Sequence, residues 1–469
     1  MVNQFIKRIF NPKYMIKPSL LKGGLPTARE AYGQLLTLAW PAALEGVLVS
    51  LIGSADTIMV GAIGPAAISA VGITNQPKFL MLAFIITLNI GVTAIVARRK
   101  GELDEIGVNR SLKQAILLSA AISLIMTAVG IIFSRPLLLL AGAQPDFLEA
   151  AIDYFQIILV GNFFTGIGMT INAAQRGIGN TRITLRTNVA ANLVNIFFNY
   201  LLINGIWIFP RLEVRGAAIA TAIGNFVMLV MSFSSVINHK SMLDITRDRN
   251  WRFDERTLTG FWKVGSSSLV EQLFMRFGFF VYTALVANLG TIPYAAHNIC
   301  MSLINVSFVF SDGFGIASTA LVGQNLGAIR PDLATMYGKV GQRCSAVAGV
   351  FLFALFALLG KPLVSLYTTD AEVIRIGAEI TVIIALTCLV QTTGVVMLGC
   401  LRGAGDSKFV AIISLITIAL IRPVLSWALC YPAGLGLIGA WIGLFFDQLL
   451  RMILGYIRFS NGKWTEIKL

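Results

Sequence analysis

The chain has 469 residues, of which 56% are hydrophobic and 13% charged, with a mean hydropathy of +0.77. A soluble protein carries about a quarter charged residues, so composition excludes an ordinary soluble domain; apolar runs of about 18 residues or more define a polytopic α-helical membrane protein. The formal charge of +14 would suit a nucleic-acid partner, but the lysines and arginines sit in loops between apolar runs, where the membrane accounts for them and no nucleic acid is expected.

Taken in order, residues 1–34 hold Lys7, Arg8, Lys13, Lys17, Lys22 and Arg29 around no adequate apolar stretch. This is a basic cytoplasmic segment rather than a cleavable signal peptide, and it is compatible with a short amphipathic stretch on the inner membrane face. Twelve spans are expected, at about 35–59, 66–97, 112–133, 151–175, 184–207, 216–238, 261–289, 293–326, 340–359, 376–400, 409–431 and 437–458. Of the 37 lysines and arginines, only Arg135, Arg211, Arg215, Lys361 and Arg375 fall in loops on the outer side when the N-terminus is inside. That imbalance predicts both termini in the cytoplasm. The longest charged connection, 239–260, separates an N-lobe at 35–238 from a C-lobe at 261–458, followed by a cytoplasmic tail at 459–469.

The two lobes match at a shift of 226 residues. Glu45 falls on Glu271, Gly64 on Gly290, Gly101 on Gly327, Pro136 on Pro362, and Arg176-Gly177-x-Gly179 on Arg402-Gly403-x-Gly405. Six spans per repeat is an even number, so the repeats run parallel, an arrangement that places two pseudo-symmetric six-helix bundles about an axis along the membrane normal.

The chemistry resides in a few polar residues at membrane depth. Span 1 carries Glu45 and Asp56, 11 residues apart, which on a helix is about 20° of rotation and roughly 16 Å of rise. They share one face. An ionisable group in a span is costly and normally serves a site; a desolvated carboxylate can hold sodium or a proton. Span 5 carries Asn188, Asn192, Asn195 and Asn199 as one stripe at i, i+4, i+7 and i+11. Two readings fit this stripe: interhelical hydrogen bonding that holds the lobe together, or a lower pair for packing with Asn195 and Asn199 facing Asp56. The C-lobe positions matching the upper pair are Ile421 and Leu425, so this polar cluster belongs to the N-lobe. Glu271 and Glu45, twins by the repeat, are expected to face a central cavity and meet a cationic substrate. Lys78 in span 2 is a candidate counter-ion for Glu45 or Asp56, Asp312 a candidate partner for Arg276, and Arg422 with Asp447 a candidate cross-helix pair. Pro41, Pro77 and Pro423 each remove a helix hydrogen bond and permit a bend. The five cysteines read as small buried hydrophobes. No nucleotide-binding loop, metal-protease motif or nucleophile elbow occurs, and the histidines are only His239 and His297. The expectation is a transporter driven by a proton or sodium gradient, without a cofactor, and not an enzyme.

These residues resemble the multidrug and toxic compound extrusion (MATE) family. The resemblance rests on P-x(14)-D-T-x-M-V-G-x-x-G at Pro41–Gly64, GVTAIVARRKGE and ASTALVGQNLGA after spans 2 and 8, the paired QRGIGNT and LRGAGDS, AAHNI from Ala295 and VRGAAIATAIG from Val214. It implies a V-shaped pair of six-helix bundles that alternates between inward- and outward-open states. It implies export of cationic, amphipathic compounds in exchange for sodium or protons, by a monomer in a bacterial or archaeal plasma membrane. Carried over by motif, Asp56 matches the span 1 coupling acid, Asn195 and Asn199 the span 5 polar pair, and Thr221 the span 6 threonine; a sodium ion at Asp56 is the one metal it raises. Asn199 departs from the aspartate often found at its position, which leaves proton and sodium both open. A lipid or oligosaccharide flippase of the same superfamily is the alternative.

Overall fold

The structure, a computed structural model, describes residues 10–16, 21–61, 63–237, 241–247 and 251–467. Parts of the expected N-terminal segment and linker, His239 among them, lie outside these residues. Among the described residues the chain is helical throughout. Twelve long helices run α1 Ala28–Gly61, α2 Pro65–Gly101, α3 Glu105–Ile132, α4 Leu148–Gly177, α5 Thr181–Asn204 and α6 Glu213–Ser234, then α7 Glu255–Ala287, α8 Thr291–Gly327, α9 Pro331–Ser365, α10 Ala371–Gly403, α11 Ser407–Cys430 and α12 Gly436–Ser460. A short helix, Ser134–Leu140, follows α3. Each expected span has its helix. Eleven of the twelve are long and apolar enough to cross a membrane. The exception is α5, whose amide stripe lowers its hydropathy.

Local sequence sets where these helices begin and end. Carboxylates cap three starts: Asp104 accepts from Gly107 N at 2.8 Å, Asp254 from Thr257 N at 3.0 Å, and Asp370 from Glu372 N at 2.9 Å. Each satisfies a first-turn N–H that has no partner within the helix. The twin turns after α4 and α10 close alike. Gly179 and Gly405 take φ of 84° and 88°, a region open to glycine at no steric cost. The next residues, Asn180 and Asp406, donate back to Gln175 O and Leu401 O at 2.8 Å, so carbonyls at both helix ends are satisfied.

The helices continue through Pro41 and Pro77. Pro423 lies two residues after a π-helical stretch, Leu415–Ile421. Wider winding there absorbs the missing N–H, so α11 remains one element.

The chain forms two compact units, one of Met1–Ala43 with Ser266–Leu469 and the other of Leu44–Gly265. In the first, Leu321, Val340, Val396 and Trp464 anchor one core, and Ile304, Ile384 and Trp441 a second. The described part of the basic N-terminal segment joins this first core: Met15 and Ile16 are buried, and Lys339 Nζ donates to Met15 O at 2.6 Å. Met15 and Ile16 thus meet protein, while Tyr14 and Leu21 stay exposed. In the second unit, Val92, Leu112, Ile171 and Phe261 form the largest core, with smaller clusters around Tyr154 and Phe155.

The repeat is visible in three dimensions within each unit. Thr93 Oγ1 of α2 donates to Ala173 O of α4 at 3.1 Å, and its twin Thr319 of α8 donates to Gly399 O of α10 at 2.8 Å. A hydroxyl bridging two close-packed helices replaces side-chain bulk, a mode of packing suited to lipid, where apolar burial gives little drive for helices to associate.

Candidate functional site

In the Leu44–Gly265 unit, α1, α5 and α6 bring Asp56, Asn195, Asn199 and Thr221 together. Asn199 Nδ2 donates to Asp56 Oδ1 at 2.7 Å. With the Asn195 amide turned so that both its ends are satisfied, its Nδ2 donates to Asp56 Oδ1 and Oδ2 at 2.7 and 3.0 Å, while its Oδ1 accepts from Thr221 N at 3.1 Å. The two amides are buried, at 4% and 1% exposure; the carboxylate is half-buried. Asn199 Oδ1, beside Asp56, is buried with no donor. Lys78 of α2 is a charged neighbour of Asp56, so of the two acids proposed for it, it serves the upper one. Tyr154 of α4 also lies in electrostatic reach of Asp56. Nothing in its sequence surroundings, DYF in an apolar span, marks it.

The lower half of the stripe does more than pack. Asn188 Nδ2 donates to Glu45 Oε1 at 2.8 Å, Thr184 Oγ1 donates to Glu45 Oε2 at 2.7 Å, and Arg176 Nη1 lies 3.7 Å from Glu45 Oε1. Asn192 donates only to the Asn188 carbonyl of its own helix, at 2.8 Å.

The C-terminal unit repeats this arrangement. Arg402 Nη2 donates to Glu271 Oε1 at 2.5 Å, and Ser414 Oγ donates to the same oxygen at 3.1 Å. Arg402 and Ser414 are the residues 226 positions after Arg176 and Asn188. Glu45–Arg176–Asn188 and Glu271–Arg402–Ser414 are therefore twin clusters, each joining the first and fifth helices of its repeat to the end of the fourth. The sequence marks the arginines only as members of the paired turns. An acid and an arginine that both recur at one shift were the available signal.

Glu271 is 1% exposed on its side chain, whereas Glu45 is 13% exposed. An open, substrate-facing position for Glu271 does not match this burial, because its carboxylate is already engaged by a guanidinium. Asp312 likewise has Arg402 as its charged neighbour, which ties it to the Glu271 cluster rather than to Arg276. Arg422 and Asp447 do pair: Arg422 Nε donates to Asp447 Oδ2 at 3.1 Å, and its Nη2 contacts the same oxygen.

Two repeats of six long helices, with acids held by amides and arginines within them, define a polytopic helical membrane protein. The MatE family model matches residues 41–201 and 268–428, one copy in each repeat. The chain belongs to the MATE family of membrane transporters. Its similar relatives include a probable multidrug resistance protein NorM of Thermotoga maritima, 28% identical and covering 96% of this chain and 97% of its own. Another is the multidrug resistance protein PmpM of Pseudomonas aeruginosa, 27% identical over 86% of this chain and 83% of its own. Among solved structures, an outward-facing multidrug resistance MATE transporter of the MOP superfamily superposes with a TM-score of 0.86 at 20% identity, covering 92% of this chain and 97% of that one. A MATE protein in its straight conformation gives 0.85 at 20% identity over 98% of both chains. The fold is therefore that of MATE transporters, and the chain is a multi-pass membrane protein.

Proposed function

We propose that the protein is a secondary active multidrug efflux transporter that exports amphipathic organic cations in exchange for protons or sodium, with Asp56, Asn195, Asn199 and Thr221 as the coupling site. The names of the relatives support the efflux reading. The observation that carries the coupling role is the pairing of a half-buried carboxylate with a buried, donorless amide oxygen, Asn199 Oδ1. A cation is the species that satisfies both, because carboxylate and carbonyl oxygens are the ligands hard cations take. A proton on Asp56 Oδ2 would serve by donating to a neighbouring acceptor.

In this reading the repeats 35–238 and 261–458 act as lobes on either side of the linker 239–260, and the site is exposed alternately to the two sides of the membrane. Uptake of the ion neutralises Asp56 and weakens its hold on the two asparagines, so that α1 and α5 can shift against each other. Glu45 and Glu271, each closed by an arginine, hold the repeat together through the cycle. The test is ethidium transport in proteoliposomes under separate pH and sodium gradients. Asp56→Asn should abolish gradient-driven transport while the protein stays inserted and monodisperse; gradient-driven transport at the wild-type rate would overturn the coupling role.

A further inference from the structure

The C-terminal unit contains an open cavity of about 510 Å³ lined by α7, α8, α11 and α12, within the range taken by drug-sized ligands. By the repeat it is the counterpart of the Asp56 region, yet its chemistry is inverted. Tyr282 stands where the N-terminal repeat has Asp56, with the Arg422 guanidinium 5.7 Å from its ring and 4.6 Å from that of Phe279. The charged groups are Arg422, Arg451 and Asp447. Arg422 and Arg451 both bind Asp447, Arg451 Nη2 at 3.2 and 3.3 Å from its two oxygens. One positive charge is left over.

Three polar groups on residues that line the cavity are buried donors without acceptors. Arg422 Nη1, Arg451 Nε and Gln448 Nε2 are all buried and find no hydrogen-bond partner in the protein, although the three residues line the same space. Arg422 is 1% and Gln448 3% exposed. A buried donor left unsatisfied is costly, so three on residues that share one cavity mark a place for acceptors brought by a ligand. Asn298, Ser302 and Asn305 of α8 add neutral polar groups, and Met275, Phe279, Met301 and Phe308 form the apolar, polarisable part of the wall, which suits an aromatic or aliphatic body.

We propose that this cavity binds an organic anion: a single carboxylate, sulfonate or phosphate group facing Arg422, Gln448 and Arg451, on an apolar body held by the methionines and phenylalanines. The ligand class is opposite in charge to that proposed for transport, and the inference stands whether or not Asp56 couples transport to an ion. The anion is carried by either a soluble organic acid or a lipid headgroup.

Calorimetric titration of the purified full-length protein in phosphatidylcholine nanodiscs with 2-naphthoate, and with its uncharged amide 2-naphthamide, tests this. Naphthoate should bind at one site, and the amide at least tenfold more weakly. Arg451→Gln should weaken naphthoate at least tenfold and Gln448→Leu about threefold or more. The Leu variant removes a donor without leaving a charge, so it keeps the test open if the arginine variant fails to fold. Equal binding of acid and amide, or naphthoate binding untouched by a folded variant, would overturn the assignment. Native mass spectrometry separates the two sources. A phosphatidylglycerol adduct displaced by naphthoate and absent in the Arg451→Gln variant identifies a lipid headgroup, and naphthoate binding with no such adduct identifies a soluble acid.

Discussion

At the scale of single residues, the twin acids differ in how much they depend on their arginines. Glu271 is buried and bonded to Arg402 at 2.5 Å, whereas Glu45 is partly exposed and 3.7 Å from Arg176. Removing one partner from a buried pair leaves an uncompensated charge and costs about 3–5 kcal/mol. Arg402→Gln should therefore lower the melting temperature in detergent sharply, and Arg176→Gln only slightly. Adding Glu271→Gln to Arg402→Gln should recover most of the loss, which a scan of the four proteins side by side would read. A second residue lies at the head of α7. Bonds from Thr257 and the nearby Arg99 guanidinium hold the Asp254 carboxyl below the usual carboxylate range. With its folded-state value depressed, Asp254 stabilises the fold above the unfolded carboxylate value, near pH 4, and that contribution is lost as pH falls through the depressed value. The side chain is 40% exposed, so screening keeps the effect to about 0.5–1 kcal/mol. Asp254→Asn should melt slightly below wild type at pH 7, and the difference should shrink towards nothing as the pH falls below 4.

At the scale of elements, small residues set how closely the helices approach. A Cβ on Gly403 of α10 would lie 2.3 Å from the Thr319 carbonyl of α8, whereas one on Gly394 of the same helix would meet nothing nearer than 3.5 Å. The first forces the two helices apart; the second makes ordinary contact. Gly403→Ala should cost about 1–3 kcal/mol and Gly394→Ala close to nothing, as seen in thermal unfolding followed by size-exclusion chromatography. Equal losses would show that α8 and α10 can yield. Much of this level was legible in the sequence. The twelve spans, the repeat and the glycine turns are local properties of hydropathy, spacing and backbone freedom. What escaped was the partnering of Arg176 and Arg402 with the acids, because each pair is joined only when the end of the fourth helix folds back to the first helix of its repeat, more than a hundred residues away in sequence.

At the scale of the whole molecule, the charge bias among the loops predicts both termini on the cytoplasmic side. Single cysteines placed in the N-terminal segment and in the tail, in a variant lacking the five native cysteines, should both resist a membrane-impermeant thiol reagent in whole cells and react after permeabilisation. Labelling of one end before permeabilisation would require an odd number of crossings. The amide-rich α5 is the helix to examine in that case, since its hydropathy alone does not demand a crossing.

The sequence by itself determined that this is a polytopic helical membrane protein built from two parallel repeats, that the span 5 asparagines lie on one helix face, and that the family is MATE. Apolar run length, backbone freedom and residue identity at a fixed shift are all written along the chain. Only the tertiary structure decided which acid Lys78 accompanies, that Glu271 is closed by Arg402, and that buried donors of Arg422, Gln448 and Arg451 are left without an acceptor. Those facts depend on how side chains from distant helices share a low-dielectric interior, where a partner a few ångströms away outweighs anything a neighbour in sequence can supply.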